Sequence, residues 1–429
     1  MGQTTQPGTS SSTGSAHDKH IADLQAVLEV SRDLSATIEL TPLLQKVTQA
    51  ALKVLSCERA TVFLYDPEPH ELYARLAVGA DEIRFSADLG IAGEVFRTGK
   101  VDNVPDAYED PRFNPEIDRK TGFKTRNMVT FPLLGFDNKT VGVLQVLNKI
   151  SGTFDTWDDE LVKTFGAQVG VAVQRQQLLE HYAEKQRIEH DLNIAREIQQ
   201  ELLPKEAAQV EGFDIAGWSK AADQTGGDCY DYCTLEDGKL ALTLADATGH
   251  GIGAALVIAQ CRSLFRATIS VTQDLSAMVG KVNNLLCHDL PDNRFVTAVF
   301  GLLSATDQTL TFLSAGHGPL IKYIRQTDEI IELSAGGVPL GIMSDMAFEA
   351  PERFKLQPGD MMILITDGFF EWANKAGEQY GTERLDAVIR QNRDLSSEEL
   401  IKILYESVLS FAGGTSQDDD LTALIIKKL

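Results

Sequence analysis

Residues 240–251 read LALTLADATGHG, an apolar run that passes directly into an aspartate and a glycine-rich loop. A second stretch, MMILITDG at residues 361–368, repeats this order. Short apolar runs that end at turn residues are typical of buried β-strands. We therefore expect Asp246 and Asp367 to lie at the ends of two strands that belong to one core.

Acidic residues adjoin two further parts of this half of the chain. Asp228 lies in GGDCYD at 226–231, and three aspartates at 418–420 precede the apolar run LTALIIKK at 421–428. A single aspartate beside glycine is usually a turn residue, but four such points next to strands that pack together indicate a shared rim. Two unit charges 4 Å apart repel by about 4 kcal/mol at an effective dielectric near 20, so protons or cations must compensate.

The motifs that carry these acids contain no lysine or arginine: GGDCYD (226–231), LADATGHG (244–251), ITDGFFE (365–371) and SQDDDLT (416–422). This favours hard divalent ions bound through oxygen, such as Mg²⁺ or Mn²⁺. Two such ions that share a carboxylate can activate a water molecule and hold a phosphoryl oxygen. The predicted chemistry is hydrolysis of a phosphate ester.

Composition limits the class of protein. The 429 residues suggest two to three domains at about 150 residues per domain, and the hydrophobic content of 43% is that of a globular protein. Lysine and arginine total 39 against 62 aspartate and glutamate, and this net charge of −23 disfavours a nucleic-acid surface. The five cysteines form no CxxC pair, and no apolar run reaches about 18 residues. We expect a cytoplasmic protein that does not span a membrane.

The pattern along the chain predicts an α+β protein with two domains. Residues 1–20 are expected to be a disordered tail, and residues 21–176 an α+β module with strands such as ATVFLYD and TVGVLQVLNK. Residues 177–204 contain no glycine or proline before Pro204. A heptad seam of eight positions runs there from Leu178 to Leu202 at spacings of three and four, and two of the eight, Lys185 and Gln199, are polar. This linker is either a short parallel coiled-coil dimer or a helix packed on its own domains. Residues 205–429 predict two packed sheets flanked by helices.

The C-terminal domain resembles the metal-dependent (PPM, type 2C) protein phosphatases of the RsbU and SpoIIE-like branch. The motifs that carry the resemblance are AREIQQELLP (195–204), GGDCYD (226–231), DATGHG (246–251), SAGHGPL (314–320), GVPLGI (337–342), LQPGDMMILITDGFFEWANKAGEQYG (356–381) and DDDLTALII (418–426). The resemblance implies an αββα sandwich that removes phosphate from phosphoserine or phosphothreonine on an anti-sigma-factor antagonist type of protein.

The same resemblance implies a site with two Mn²⁺ or Mg²⁺ ions, in which Asp246 and Asp367 are the catalytic residues. Asp419 is assigned as a ligand because it begins the family pattern Asp-(Asp/Asn)-hydrophobic-(Ser/Thr). The implied metal ligands are Asp228, Asp246, the carbonyl of Ala247, Asp367 and Asp419.

The N-terminal module resembles the cyclic-nucleotide-binding GAF domains through LGIAGEVFRTGKVDNVPDAYEDPRFNPEIDRKTGFKTRN (89–127) and NKISGTFDTWDD (148–159). The resemblance implies a sensor with an antiparallel sheet and an ion pair between Lys149 and Asp158. Alternatively, the module serves only dimerisation or binds another small molecule. The implied ligand-binding residues are Ile91, Ala92, Asn114, Asp118, Thr121, Thr125 and Gln145.

Together these features predict a phosphatase that a small ligand at the GAF domain regulates and that forms a homodimer through the GAF domain and the linker helix. Neither a nucleic acid nor a membrane is expected as a partner. The alternative is a catalytically silent, GAF-driven dimeric sensor that serves as an interaction platform.

Overall fold

The computed structural model describes residues 12–35, 37, 39–74, 83–291 and 293–429. The chain divides into two compact units, Met1–Gln186 and Arg187–Leu429.

The first unit contains one six-stranded antiparallel sheet with the strand order β3-β2-β1-β6-β5-β4. Its strands are β1 Cys57–Asp66, β2 Glu71–Ala74, β3 Ile83–Ser86, β4 Asp102–Val104, β5 Met128–Leu134 and β6 Thr140–Lys149. Its helices are α1 Ser12–Ser35, α2 Leu40–Leu55, α3 Gly90–Thr98, α4 Glu116–Thr121 and the first part of α5 Thr156–Leu202.

Apolar faces of α2 and α5 pack against this sheet. Val47 and Phe165 belong to the same buried cluster as Leu64 of β1 and Phe131 of β5. Gly170 of α5 lets the helix approach the strand closely, because a Cβ atom there would lie 2.3 Å from the carbonyl oxygen of Leu134. The antiparallel sheet with helices that the sequence predicts for this domain is confirmed.

The N-terminal boundary differs from the expected one. Helix α1 begins at Ser12, inside the segment 1–20 that composition assigns to a disordered tail, while residues 1–11 lie outside the described part of the chain. The serine-rich composition fails as a guide here because the same helix continues into an apolar stripe whose Val27 and Leu34 are buried in the core.

The second unit contains two five-stranded antiparallel sheets, with strand orders β14-β11-β10-β9-β8 and β13-β12-β15-β16-β7. Its strands are β7 Phe213–Lys220, β8 Asp228–Thr234, β9 Leu240–Ala247, β10 Val296–Ser304, β11 Thr309–Ala315, β12 Leu320–Ile324, β13 Glu329–Leu333, β14 Glu352–Lys355, β15 Met361–Ile365 and β16 Leu421–Lys428. Its helices, after the end of α5, are α6 Ile252–Ile269, α7 Leu275–Asp289, α8 Gly368–Glu371, α9 Thr382–Gln391 and α10 Ser397–Ala412.

Three buried clusters define the layers of this unit. Leu244 of the first sheet and Leu424 of the second belong to the cluster between the sheets. Phe265 of α6 packs against the outer face of the first sheet. Leu404 of α10 packs against the outer face of the second sheet. The architecture is therefore helix, sheet, sheet, helix, and the predicted αββα sandwich is confirmed.

Helix α6 is long and apolar enough to cross a membrane by length and composition alone. It carries two arginines, Arg262 and Arg266, whose Nε atoms lie 3.0 and 2.6 Å from a carboxylate oxygen of the fully buried Asp231 on β8. With one face in the core and its cations paired inside the unit, α6 has the contacts of a core helix in a globular domain.

Candidate metal centre

Two of the candidate ligands lie on neighbouring strands of the first sheet. Asp228 at the start of β8 is the register partner of Asp246 near the end of β9. Residues directly opposite each other in an antiparallel pair point to the same face, with Cβ atoms about 5 Å apart. The glycine-rich segment before β8 thus brings a second carboxylate next to Asp246.

The other two candidates come from the second sheet, where strands β15 and β16 pair antiparallel. Asp367 follows β15 and Asp419 lies just before β16. Gly368 permits these segments to meet, because a Cβ atom there would lie 2.1 Å from the carbonyl oxygen of Asp420. Any larger residue would push the two acidic segments apart.

A buried hydroxyl connects the two sheets at this rim. Thr366 donates from Oγ1 to Oδ2 of Asp228 at 2.7 Å, and its backbone N–H donates to the carbonyl of Thr422 at 3.0 Å. The first sheet's Asp228 is therefore oriented by the residue that directly precedes Asp367. Four acidic points that are far apart in the sequence converge at one edge of the sandwich.

Asp419 and Asp420 have different surroundings. The carboxylate of Asp420 accepts backbone N–H groups from Ala222 at 2.7 Å and Gly227 at 2.5 Å, which fixes the loop before β8. The carboxylate of Asp419 accepts the N–H of Asp420 at 2.8 Å and is exposed. Asp420 thus has a structural partner set, whereas Asp419 keeps lone pairs for a ligand.

Burial and mutual repulsion shift the acidity of this group. Burial, followed by the charges of Asp367 and Asp419, raises the pKa of Asp246 to about 7. Burial and the charge of Asp419 raise the pKa of Asp367 to about 6. Burial and the charge of Asp246 raise the pKa of Asp228 well above its usual range.

Within the described ranges, no lysine or arginine forms an ion pair with these carboxylates, so nothing in the protein itself compensates their charge. In that part of the chain, no three aspartate, glutamate, histidine or cysteine side chains are already grouped as in a filled metal site. One carboxylate of the group, Asp228, already accepts a hydrogen bond from Thr366. The donor set, oxygen atoms with excess negative charge, still suits a hard divalent cation that would draw the group together.

The backbone around Ala247 adds one more oxygen to the rim. Its N–H donates to the carbonyl of Gly227 at 2.9 Å, and a Cβ atom on Gly227 would lie 2.8 Å from the carbonyl oxygen of Ala247. A side chain at position 227 would therefore collide with the Ala247 carbonyl, and glycine avoids this contact.

The two histidines of the motifs have separate surroundings. His317 is buried, and its Nε2 atom lies 3.1 Å from the carbonyl oxygen of Ile365, so Nε2 carries the proton. Its Nδ1 atom then accepts from Oγ1 of Thr297 at 3.2 Å. Burial lowers the pKa of His317 to about 4. His250 lies in an exposed loop, with Nδ1 3.3 Å from a carboxylate oxygen of Asp223.

In the first unit, the predicted ligand residues fall into two groups. Ile91 belongs to a small buried cluster with Met128, and the amide of Gln145 donates to Oγ1 of Thr130 at 3.1 Å and contacts the sulfur of Met128 at 3.5 Å. Ala92 faces a different cluster. Ile91 and Ala92 are the second and third residues of helix α3, and they pack into two different parts of the core.

The second group lies around helix α4. The carboxylate of Asp118 accepts the N–H of Thr125 at 2.6 Å and its hydroxyl at 2.8 Å, while Tyr108 donates to it at 3.1 Å. Asn114 accepts the N–H of Glu116 at 3.0 Å. The side chain of Thr121 lies outside the described part of the chain.

The ion pair expected between Lys149 and Asp158 is present, with Nζ and Oδ1 2.6 Å apart and both side chains largely buried. The hydrogen bonds made by the positioning residues Thr366, Thr297 and Gln199 were not predicted from the sequence. Thr366 lies directly before Asp367 and Gln199 lies in the motif AREIQQELLP, but no local pattern predicts a contact such as that of Thr366, which spans 138 residues of sequence.

Comparison with known proteins finds a family match in each of the two halves of the chain. Residues 236–428 match the SpoIIE family, described as Stage II sporulation protein E, and residues 39–173 match the GAF domain. The phosphoserine phosphatase RsbU of Bacillus subtilis (strain 168) is 27% identical over 259 residues, which cover 60% of this chain and 76% of the relative.

Two further similarities concern parts of the chain. The probable 3′,5′-cyclic phosphodiesterase pde-5 of Caenorhabditis elegans is 32% identical over 187 residues, 40% of this chain and 25% of the relative, so the match spans a quarter of that protein. The solved SiaA-PP2C domain of Pseudomonas aeruginosa has a TM-score of 0.51 at 23% identity and covers 57% of this chain and 98% of that chain. The chain thus joins a GAF domain to a domain of the SpoIIE family.

Proposed function

We propose that this chain is a metal-dependent protein phosphatase that removes phosphate from phosphoserine or phosphothreonine on a regulatory protein. The observation that carries the proposal is the convergence of Asp228, Asp246 and Asp367 at one rim, with pKa values raised by burial and by their own charges and with no basic partner. Such a group gains most from cations that it binds directly.

Two Mn²⁺ or Mg²⁺ ions would be held by the carboxylates of Asp228, Asp246, Asp367 and Asp419 together with the carbonyl of Ala247. A bound pair of such ions supplies an activated water and a clamp for the phosphoryl oxygens. The protein fixes the donors: Thr366 orients Asp228 through its hydroxyl, and Asp420 holds the Gly227 segment through backbone N–H groups.

The substrate class follows from the relatives. RsbU of Bacillus subtilis is a phosphoserine phosphatase, and the match to it covers 76% of that protein. We extend this to the present chain as a phosphoprotein substrate of the anti-sigma-factor antagonist type, acting in a partner-switching pathway. The protein is proposed to work in the cytoplasm.

Regulation is proposed to enter through the GAF domain, with a cyclic nucleotide as the ligand class. The resemblance of residues 89–127 to cyclic-nucleotide-binding GAF domains supports this, as does the similarity to a relative that acts on 3′,5′-cyclic nucleotides. Helix α5 is continuous from Thr156 to Leu202, and a continuous helix transmits rotation that a flexible linker would not.

The end of helix α5 contacts the loop that carries the proposed ligand Asp228. The Gln199 side chain donates to the carbonyl of Gly226 at 2.6 Å and accepts the N–H of the same residue at 3.0 Å. A movement of α5 would therefore shift Gly226, and with it the segment that leads to Asp228, through the side-chain amide of Gln199. This contact supports α5 as the route by which the GAF ligand changes phosphatase activity.

The test is phosphate release from a phosphoserine peptide by the full chain, with Mn²⁺, with EDTA, and with Asp246→Asn, each with and without cyclic AMP or cyclic GMP. We expect turnover that requires Mn²⁺ and is lost in Asp246→Asn, and a change in rate with one nucleotide. Folded protein that releases no phosphate under any of these conditions would favour the interaction-platform alternative.

A further inference from the structure

One arginine lies across the loop that joins β9 to α6. This loop has glycine at positions 249 and 251, and α6 follows it with glycine at position 253. The loop is held by an extension of the β9–β10 pairing. The N–H of Thr248 donates to the carbonyl of Phe295 at 3.0 Å, and the N–H of Phe295 donates to Oγ1 of Thr248 at 3.1 Å. Arg294 precedes this pair and is thereby placed beside the loop.

The guanidinium group of Arg294 lies in the space that side chains at positions 249 and 253 would occupy if these residues were not glycine. Its Nη1 atom donates to the carbonyl oxygen of Thr248 at 2.6 Å. A Cβ atom on Gly249 would lie 2.7 Å from Nη1, and one on Gly253 would lie 3.0 Å from Nη2. The two glycines therefore make room for the planar group directly over the loop.

Most of this guanidinium's hydrogen-bonding capacity is unused. In the described ranges, Arg294 makes one hydrogen bond, through Nη1, and no carboxylate lies within ion-pair distance of it. Arg262 and Arg266 of helix α6 differ from Arg294, because both are paired with the buried Asp231. Arg294 thus keeps Nε, Nη2 and a full positive charge for a group outside the protein.

The position of this charge relates it to the proposed reaction. Arg294 donates to the carbonyl of Thr248. Thr248 is one residue after Ala247 and two after Asp246. A fork of N–H donors matches two oxygens of a phosphate, and charge-assisted hydrogen bonds of this kind are about twice as strong as neutral ones. Among the described residues, no carboxylate forms an ion pair with this fork.

We propose that Arg294 binds the phosphoryl group of the substrate, and afterwards the product phosphate, through its free N–H donors. Its ligand class is a phosphate monoester dianion. The proposal rests on the proposed function for the reaction itself, but the binding of phosphate by Arg294 can be measured without turnover.

The test compares the wild type with Arg294→Gln and Arg294→Lys in the full chain with Mg²⁺ present. Calorimetry measures the affinity for inorganic phosphate, and steady-state kinetics measures KM and kcat for a phosphoserine peptide. Arg353→Gln is the control, because this exposed arginine lies on the edge strand β14 beside Asp307. Thermal unfolding and a Mg²⁺ titration show whether each variant is folded and binds the metal.

We expect Arg294→Gln to weaken phosphate binding about tenfold or more and to raise KM more than it lowers kcat. Arg294→Lys should recover part of this loss, since it restores charge without the fork. Folded Arg294→Gln protein that binds phosphate as the wild type does would overturn the proposal, as would wild-type protein that binds no phosphate. If phosphate binds through Arg294 but no variant releases phosphate from peptide, the proposed function fails and the phosphate site stands.

Discussion

At the scale of single residues, Asp246 links stability to pH. Its pKa in the folded, metal-free protein is about 7, against about 3.9 for an ordinary aspartate. Between these values the folded state binds more protons than the unfolded state, so the free energy of unfolding falls as pH rises from about 4 to 7. Asp246→Asn removes this term. We expect the metal-free variant to melt roughly 3 to 6 °C above the metal-free wild type at pH 8, measured by calorimetry.

The control for this measurement is Asp418→Asn, a nearby exposed aspartate whose carboxylate accepts from Ser416 at 3.1 Å. It should leave the melting temperature unchanged. An Asp246→Asn variant that melts lower than the wild type at pH 8 without metal would show that the carboxylate stabilises the fold instead of straining it.

His317 has the opposite pH dependence. Its pKa is lowered to about 4 when folded and is about 6.5 when unfolded, so the unfolded state binds more protons between these values. The contribution of His317 therefore makes the free energy of unfolding rise with pH across that window. We expect His317→Gln, which keeps a donor for the Ile365 carbonyl, to lose this slope in urea unfolding at pH 5 and pH 7.

His317→Leu provides the comparison for this prediction. It leaves the carbonyl of Ile365 and the hydroxyl of Thr297 without their partner and should cost about 1 to 3 kcal/mol at pH 7, more than His317→Gln. Equal stability of the two variants would mean that these hydrogen bonds do not support the rim.

The sequence predicts which residues form the rim, but it does not predict how their side chains contact one another. Aspartates that follow or precede apolar runs predicted a shared edge, because strand ends are easy to recognise from the change in polarity. Which aspartate of 418–420 turns inward, and that Thr366 orients Asp228, depend on contacts across more than 130 residues. Local pattern carries no signal for such contacts.

At the scale of elements, the end of helix α5 is the part most sensitive to one substitution. Gln199→Ala removes both hydrogen bonds to Gly226. Because Gly226 begins the segment that ends at Asp228, we expect the variant to bind Mn²⁺ about tenfold more weakly and to lose most of its response to the GAF ligand. Gln200→Ala, on an exposed neighbouring position, is the matched control.

The same two variants separate a structural role from a coupling role. A Gln199→Ala protein with unchanged Mn²⁺ affinity and an unchanged ligand response would exclude this contact as the route of regulation. Insertion of one residue near Lys185 tests the rest of the helix, since it rotates everything beyond it by about 100°.

Most core elements of the phosphatase domain were predictable because their apolar runs are long, as in β9, β10, β15 and β16. Strands β7 and β8 were not predicted. The glycines and aspartate of residues 226–228 indicate a turn, whereas pairing with β9 extends the chain from Asp228 onward. Edge strands with mixed polarity lack the signal that a buried central strand provides.

At the scale of the whole molecule, the exposed apolar residues of α5 predict a second copy as partner. Leu178, Tyr182 and Ile188 of the heptad seam expose about half or more of their surface within the described part of the chain. We expect the wild type to sediment as a dimer and Ile188→Lys to shift it toward monomer, because a charge on an apolar seam is costly to bury. Asn193→Lys, at an exposed polar position, should leave the dimer intact. A wild-type monomer at micromolar concentration would instead favour a linker helix packed on its own domains.

The direct test of the metal centre is a calorimetric titration of Mn²⁺ into EDTA-treated, dialysed full-length protein at pH 7.5. We predict binding of about two ions per chain, weakened at least tenfold by Asp419→Asn and unchanged by Asp418→Asn. Wild-type protein that binds no Mn²⁺, or that loses binding equally in both variants, would contradict the assignment of this rim as a two-metal phosphatase site.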